Sequence, residues 1–140
     1  ASALILASES AVQAQGLKPM AKIVAHARSS RLPAEFTLAP VDAISSLLKK
    51  TGWSADDVDL WEINEAFAMV TMLAMKAHGL DHSKVNVHGG ACAQGHPIGS
   101  TGSRIIVTLM HAMHHYGKER GVAALCIGGG EATAVAIEKC

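Results

Sequence analysis

Three short stretches of this chain carry side chains able to do chemistry: Asn64-Glu65-Ala66-Phe67-Ala68, the glycine-rich run from Gly89 to Gly99 that holds His96, and Cys126-Ile127-Gly128-Gly129-Gly130. A cysteine followed directly by three glycines couples a thiol to backbone N–H groups that can point at a negative oxygen. Such a thiol can give up a proton as an acid, or act as a base once it is a thiolate. His96, at the end of its glycine run and just ahead of a helix, offers an imidazole that can accept a proton or donate one hydrogen bond. Each residue also has a plainer explanation. His96 can be a loop histidine bonded to a carbonyl, Cys126 a buried small hydrophobe, and Asn64 the N-cap of the helix that follows it.

Other candidates say less. The glycine-rich run is neither a Walker A loop nor a GxGxxG dinucleotide fingerprint. His111, His114 and His115 have the helical spacing of metal ligands but share a polar face with Arg104, which is the pattern of a solvated helix surface. Met69, Met72 and Met75 suit core filling. The three cysteines, Cys92, Cys126 and Cys140, form no CxxC pair, so neither a disulfide framework nor a tetrahedral zinc site is expected, and reduced thiols fit a cytoplasmic protein. Cys92 and Cys140 receive no role.

The elements that would position these groups follow from periodicity and capping. Residues 1–7 suggest a strand, then a short helix capped by Ser8 or Ser10 and ended by Gly16. Residues 21–28 read as a strand. A helix opens near Pro40, carries an apolar stripe of Val41, Ile44, Leu47 and Leu48, and stops at Gly52. A strand over residues 57–63 runs into Asn64 as N-cap, with Glu65 at the helix N-terminus. That helix, residues 66–77, is apolar on every side, which predicts burial on all sides against a layer this chain does not supply. Residues 85–87 suggest a strand and residues 97–116 a helix. Strands over 121–127 and 132–138 around the glycine turn predict an antiparallel hairpin. The alternation of strands and helices argues for a layered α/β domain, with all three chemical stretches at the C-terminal ends of strands, where open sheets bind ligands.

Composition narrows the function classes. The chain has 140 residues, 49% apolar and 17% charged, which supports a real core. Twelve Lys and Arg balance twelve Asp and Glu, leaving no field to gather nucleic acid or an anionic membrane. No apolar run reaches the ~18 residues of a membrane span. The chain opens on Ala1 and an apolar run, which reads as a cut through a longer protein.

With their order and spacing, the segments NEAFA, GGACAQGHPIG and CIGGG resemble the three C-terminal motifs of the thiolase family, and the match runs from the opening strand to Ile137. The resemblance implies a thiolase-like layered α/β fold in which each half of a subunit is a βαβαβαββ unit, with a helix sandwiched between sheets. Residues 1–19 would then end the N-terminal domain and residues 20–140 form the C-terminal domain. It implies an acyltransferase for reversible Claisen condensation and thiolysis of acetyl-CoA and 3-ketoacyl-CoA, with coenzyme A thioesters as substrates and no resident cofactor or metal.

The nucleophilic cysteine belongs to the N-terminal half in that family, so this chain alone is expected to be inactive. His96 matches the histidine that activates the nucleophile and helps bind the thioester oxygen, and Asn64 the residue that positions a water there. Cys126 matches the acid/base that takes the α-proton and protonates the departing thiolate, and Gly128 N–H a donor of the second oxyanion hole. Ala66, Phe67 and Ile98 match residues near the bound acyl–pantetheine end. The partners implied are acyl-CoA, the N-terminal half of the same enzyme, and a second or further copies in a homodimer or homotetramer. Glu131, the loop 35–39, and Cys92 and Gln94 in the histidine motif depart from the family pattern, which bears on chain-length preference. The rival readings are an acyl-CoA- or lipid-binding protein without turnover, a separate subunit that pairs with an N-terminal half, and a decarboxylating condensing enzyme. The last typically uses two histidines where this chain has His96 and Cys126.

Overall fold

The computed structural model describes all residues, Ala1–Cys140. Its centre is a four-stranded mixed sheet built from β1 (Ala21–Ser30), β2 (Leu60–Ile63), β3 (Arg120–Ile127) and β4 (Glu131–Lys139), in the order β1-β4-β3-β2. β3 and β4 form the expected hairpin, with Cys126 opposite Ala132 and Ile127 opposite Glu131. β4 pairs antiparallel with β1, and β3 pairs in parallel with β2.

The alternation of side chains along these strands sends successive residues to opposite faces, and two cores result. On one face Val122, Ala124, Ala132, Ala134 and Ala136 meet Ala43, Ile44 and Leu47 of α2 (Ala39–Thr51) and Ala74 of α3 (Ala68–His78). The other face brings Leu60, Ala123 and Ile137 against Ile105, Leu109, Ala112 and Met113 of α5 (Thr101–Tyr116). Burying one such large aliphatic side chain contributes about 1.5–3 kcal/mol. The small residues of β3 and β4 let the helices come close. At Gly121 the approach is extreme, since a Cβ there would lie 2.6 Å from the Met113 sulfur and 2.9 Å from Leu109.

Capping follows the sequence. Ser8 accepts from the Ala11 N–H at the start of α1 (Glu9–Gln15), which ends on left-handed Gly16, and Gly52 ends α2 in the same way. Pro40 lies in the first turn of α2, as its fixed φ favours.

Five expectations need correction. Residues 1–7 form no strand: nothing pairs with their backbone, and Ile5 is 95% exposed. Only residues 60–63 of the 57–63 stretch are strand, because Ala55–Asp57 close a 3-10 turn through a reciprocal Ser54–Asp57 capping box. Residues 85–87 contribute one parallel bridge, Val85 to Trp61, because Asn86 turns left-handed (φ 49°) immediately afterwards. The helix expected from residue 97 begins at Thr101, after a turn in which Ser100 and Thr101 N–H groups bond the Pro97 carbonyl. Asn64 is not an N-cap. The parallel ladder continues through it, its N–H donating to the Ala124 carbonyl, so α3 starts only at Ala68.

α3 buries Val70, Thr71 and Ala74 but leaves Met69 55% and Met72 65% exposed, so of the three methionines expected to fill the core only Met75 packs against it within this chain. The chain itself therefore covers only one face of this apolar helix. No helix is long and apolar enough to cross a membrane.

Candidate active site

β2 and β3 run side by side in the same direction, so their C-terminal ends deliver Asn64–Ala66 and Cys126–Gly129 to one edge of the sheet. There a cleft of about 480 Å³ opens, lined by Ala66, His96, Ile98, Cys126 and Gly128 among others. Five of the seven residues singled out from sequence thus share one cavity. Phe67 stands at its rim, edge-on to Phe36 with ring centroids 6.0 Å apart. Asn64 is not part of the lining. It lies in the interior, 1% exposed, and neither atom of its side-chain amide has a hydrogen-bond partner within the protein. A buried amide without partners is costly, so a water or ligand atom is the expected complement.

Cys126 is the next-to-last residue of β3 and half-buried. Burial pushes its thiol above the ordinary range, so the neutral thiol dominates near pH 7, a form suited to delivering a proton. Beyond it the chain turns through Gly128, Gly129 (φ 89°) and Gly130 (φ 94°). Gly130 is required by contact as well as by conformation, because a Cβ would strike the Arg31 carbonyl. The Gly128 N–H has no acceptor within the protein and remains available at the cleft.

His96 is held from one side of its ring. Its Nδ1 lies 2.8 Å from the Thr101 hydroxyl, and that hydroxyl donates to the Pro97 carbonyl at 3.1 Å. The contact fixes the ring orientation, with Nδ1 held against Thr101 and Nε2 on the opposite side of the imidazole. Thr101 is itself 1% exposed, so the tether is embedded in the fold.

Asn86, which was not singled out from sequence, and Glu65, expected only at the N-terminus of α3, also shape this corner. Asn86 makes a bidentate contact with the Ile63 backbone, its Oδ1 accepting from the N–H (2.8 Å) and its Nδ2 donating to the carbonyl (2.9 Å). The same Nδ2 donates to Glu65 Oε1 at 2.9 Å, and Glu65 Oε2 accepts from the Cys92 N–H at 2.9 Å. Glu65 does serve a helix N-terminus, as its charge suggested, but that of the single turn α4 (Ala91–Gln94) rather than of α3. Burial opposes its ionisation, yet the bonds from Asn86 and Cys92 prevail and hold the carboxyl below its usual range. The sequence signal was faint because these partners lie 21 and 27 residues away.

Behind the site, Glu62 on β2 is 2% exposed and accepts from Arg104 of α5 at 3.3 Å, while its Oε1 has no partner. Burial pushes this carboxyl up to about 7 against the pull of Arg104, with Glu65 adding to the rise. Glu131 stays outside the cleft, whereas Phe36 of the loop 35–39, together with Pro33 just before it, forms part of its wall. No group of three or more His, Cys, Asp or Glu side chains is arranged to hold a metal ion.

Comparison with known proteins agrees with this geometry. The family model described as thiolase, C-terminal domain, matches residues 17–139. The chain is 50% identical over 139 residues to an acetyl-CoA acetyltransferase of Yarrowia lipolytica, covering 99% of this chain and 34% of that protein. To the cytosolic acetyl-CoA acetyltransferase of Mus musculus it is 45% identical, covering 99% of this chain and 35% of the relative. The crystal structure of human mitochondrial 3-ketoacyl-CoA thiolase in complex with CoA superposes with a TM-score of 0.93 at 45% identity, over 96% of this chain and 34% of that one. The chain thus spans about a third of the length of the curated relatives it matches. The layered α/β fold, the cleft at the ends of two parallel strands and these matches lead to one conclusion: the chain belongs to the thiolase family, through that family's C-terminal domain.

Proposed function

We propose that this chain is the C-terminal part of an acetyl-CoA C-acyltransferase that condenses and cleaves short acyl thioesters of coenzyme A. The observation that carries the reading is the convergence of His96, Cys126 and the Gly128 N–H on one cleft, with the unpartnered Asn64 amide in the interior behind it. In the thiolysis direction a cysteine thiolate supplied by the N-terminal part attacks the 3-keto carbon. His96 Nε2 takes the proton from that thiol. The bond between C2 and C3 breaks, leaving an acyl-enzyme thioester and the enolate of acetyl-CoA. The Cys126 thiol protonates the enolate carbon to give acetyl-CoA. Coenzyme A then attacks the acyl-enzyme, transferring its thiol proton to the Cys126 thiolate; the thioester bond to the nucleophilic cysteine breaks, that cysteine recovers the proton held by His96, and the new acyl-CoA leaves. Condensation is the reverse sequence.

Charge develops on two oxygens along this path. Gly128 N–H serves one, and His96 with a water on Asn64 serves the other; removing a donor of this kind typically costs ~10²–10³ in rate. Ala66, Phe67 and Ile98 border the acyl–pantetheine end, and no resident cofactor or metal is needed. Residues 1–19 belong on this reading to the N-terminal domain, in keeping with the exposed Ile5 and Leu6 and a family match that begins at residue 17. The bare face of α3 is where that domain packs. The chain alone is inactive, and the whole enzyme works as a homodimer or homotetramer. The cytosolic mouse relative favours a cytoplasmic location.

The test is thiolysis of acetoacetyl-CoA by the full-length protein beside Cys126→Ala and His96→Ala. Loss of turnover of ~10²-fold or more in both variants, with unchanged melting, is expected. Acyl-CoA binding without turnover in the unmutated full-length protein, on short and long substrates, would instead establish a binding protein.

A further inference from the structure

We infer that Glu65 is a positioning residue: its carboxylate, gripped by Asn86 and the Cys92 N–H, fixes the loop that presents His96 to the cleft. Both oxygens are engaged, Oε1 by Asn86 and Oε2 by the first turn of α4. The loop accommodates the carboxylate by having no side chain at Gly90, where a Cβ would overlap it. Gly90 has φ −133°, which any residue adopts, so contact rather than backbone conformation demands the glycine. From the Cys92 anchor the chain completes one hydrogen-bonded turn, bends through Gly95 (φ 94°) and arrives at His96. On the far side, the Thr101 hydroxyl ties the imidazole to α5. His96 is therefore suspended between two anchors, and the first is tied through Asn86 and Ile63 to the end of β2. A loop with five glycines between residues 89 and 102 has little stiffness of its own. The carboxylate supplies what the loop sequence lacks.

This inference uses the thiolase reading only for its kinetic readout. In the full-length protein, Glu65→Ala is expected to lower kcat for acetoacetyl-CoA thiolysis about 10- to 100-fold while KM moves less than threefold, since small misplacement of a reacting group costs rate rather than binding. Gly90→Ala, which keeps the carboxylate but displaces it, is expected to reproduce the loss. In the Glu65→Ala background the same glycine change should add little. A folded Glu65→Ala protein with kcat within twofold of wild type, or fully additive losses in the double variant, would overturn the inference.

A second readout needs no turnover. With histidine isotopically labelled, the His96 imidazole resonance, assigned by its disappearance in His96→Gln, should shift in both Glu65→Ala and Gly90→Ala. An unmoved resonance would overturn the inference as well. A moved resonance in a full-length protein that performs no thiolysis would retire the thiolase reading and leave this one standing.

Discussion

Glu62 and Glu65 lie on the same short stretch of chain, and both face inward from the end of β2, yet the protein treats their charges in opposite ways. Glu62 is packed between the sheet and α5, where its one partner is the Arg104 guanidinium at 3.3 Å and one oxygen has none. Its carboxyl is pushed up to about 7 by burial. Glu65 meets no cation within bonding distance. Two neutral donors, an amide and a backbone N–H, each at 2.9 Å, hold its carboxyl below the usual range. The difference is first one of burial: the cost of burying the Glu62 charge outweighs the pull of Arg104, whereas two hydrogen bonds from neutral donors, with a smaller pull from Arg104, overcome the lighter burial of Glu65. The better-secured group is the one beside the cleft.

The comparison can be broken most forcefully through Arg104. Replacing it with Leu strips Glu62 of its partner, and losing one member of a buried pair costs about 3–5 kcal/mol. That loss should appear in denaturant unfolding at pH 8, where Glu62 is ionised, and shrink at pH 5.5, where the carboxyl holds a proton. Equal losses at both values would mean that Glu62 is not the group that responds.

Glu62→Gln sharpens the same point. A carboxyl whose folded pKa is raised contributes stability that is present at low pH and lost as pH rises from the ordinary 4.5 to about 7. Glutamine has no such dependence. Relative to wild type, the variant should therefore gain stability across this window, by roughly 3 kcal/mol at most. A flat difference between the two unfolding curves would contradict the raised carboxyl.

Glu65→Gln should have the smallest effect on stability of the three, about 1–3 kcal/mol, because its amide NH₂ must face one of the two donors and leave it unsatisfied. With the folded carboxyl held low, its contribution is complete above the usual carboxylate range and fades only at more acid pH. The cost should thus be the same at pH 5.5 and pH 8, measured by the same unfolding, and a cost that rises between them would show that Glu65 titrates there.

Elements governed by local chemistry were legible in the sequence. Ser8 and Gly16 bracket α1, Pro40 and Gly52 bracket α2, and the glycines after Ile127 turn the hairpin, because each of these acts on its own neighbours. What failed depended on distant partners. Residues 1–7 have strand composition but nothing to pair with, and Asn64 has the chemistry of a cap but is captured by a ladder bond to Ala124. The three stretches predicted to hold the site do meet at one edge of the sheet, with Asn64 in the interior behind the lining and Phe67 at the rim. The apparatus that orients them was not readable. Glu65, Asn86 and Thr101 are ordinary polar residues until the fold brings together groups far apart in the chain.

The Thr101 hydroxyl reaches beyond the architecture of the loop. By holding Nδ1 it dictates that Nε2 is the nitrogen of the His96 imidazole turned away from α5. A small molecule designed to dock on this histidine should therefore be built to meet Nε2, with a group such as a hydroxyl that both donates and accepts. Pharmacology at this cleft is thus written by a threonine that no ligand need touch.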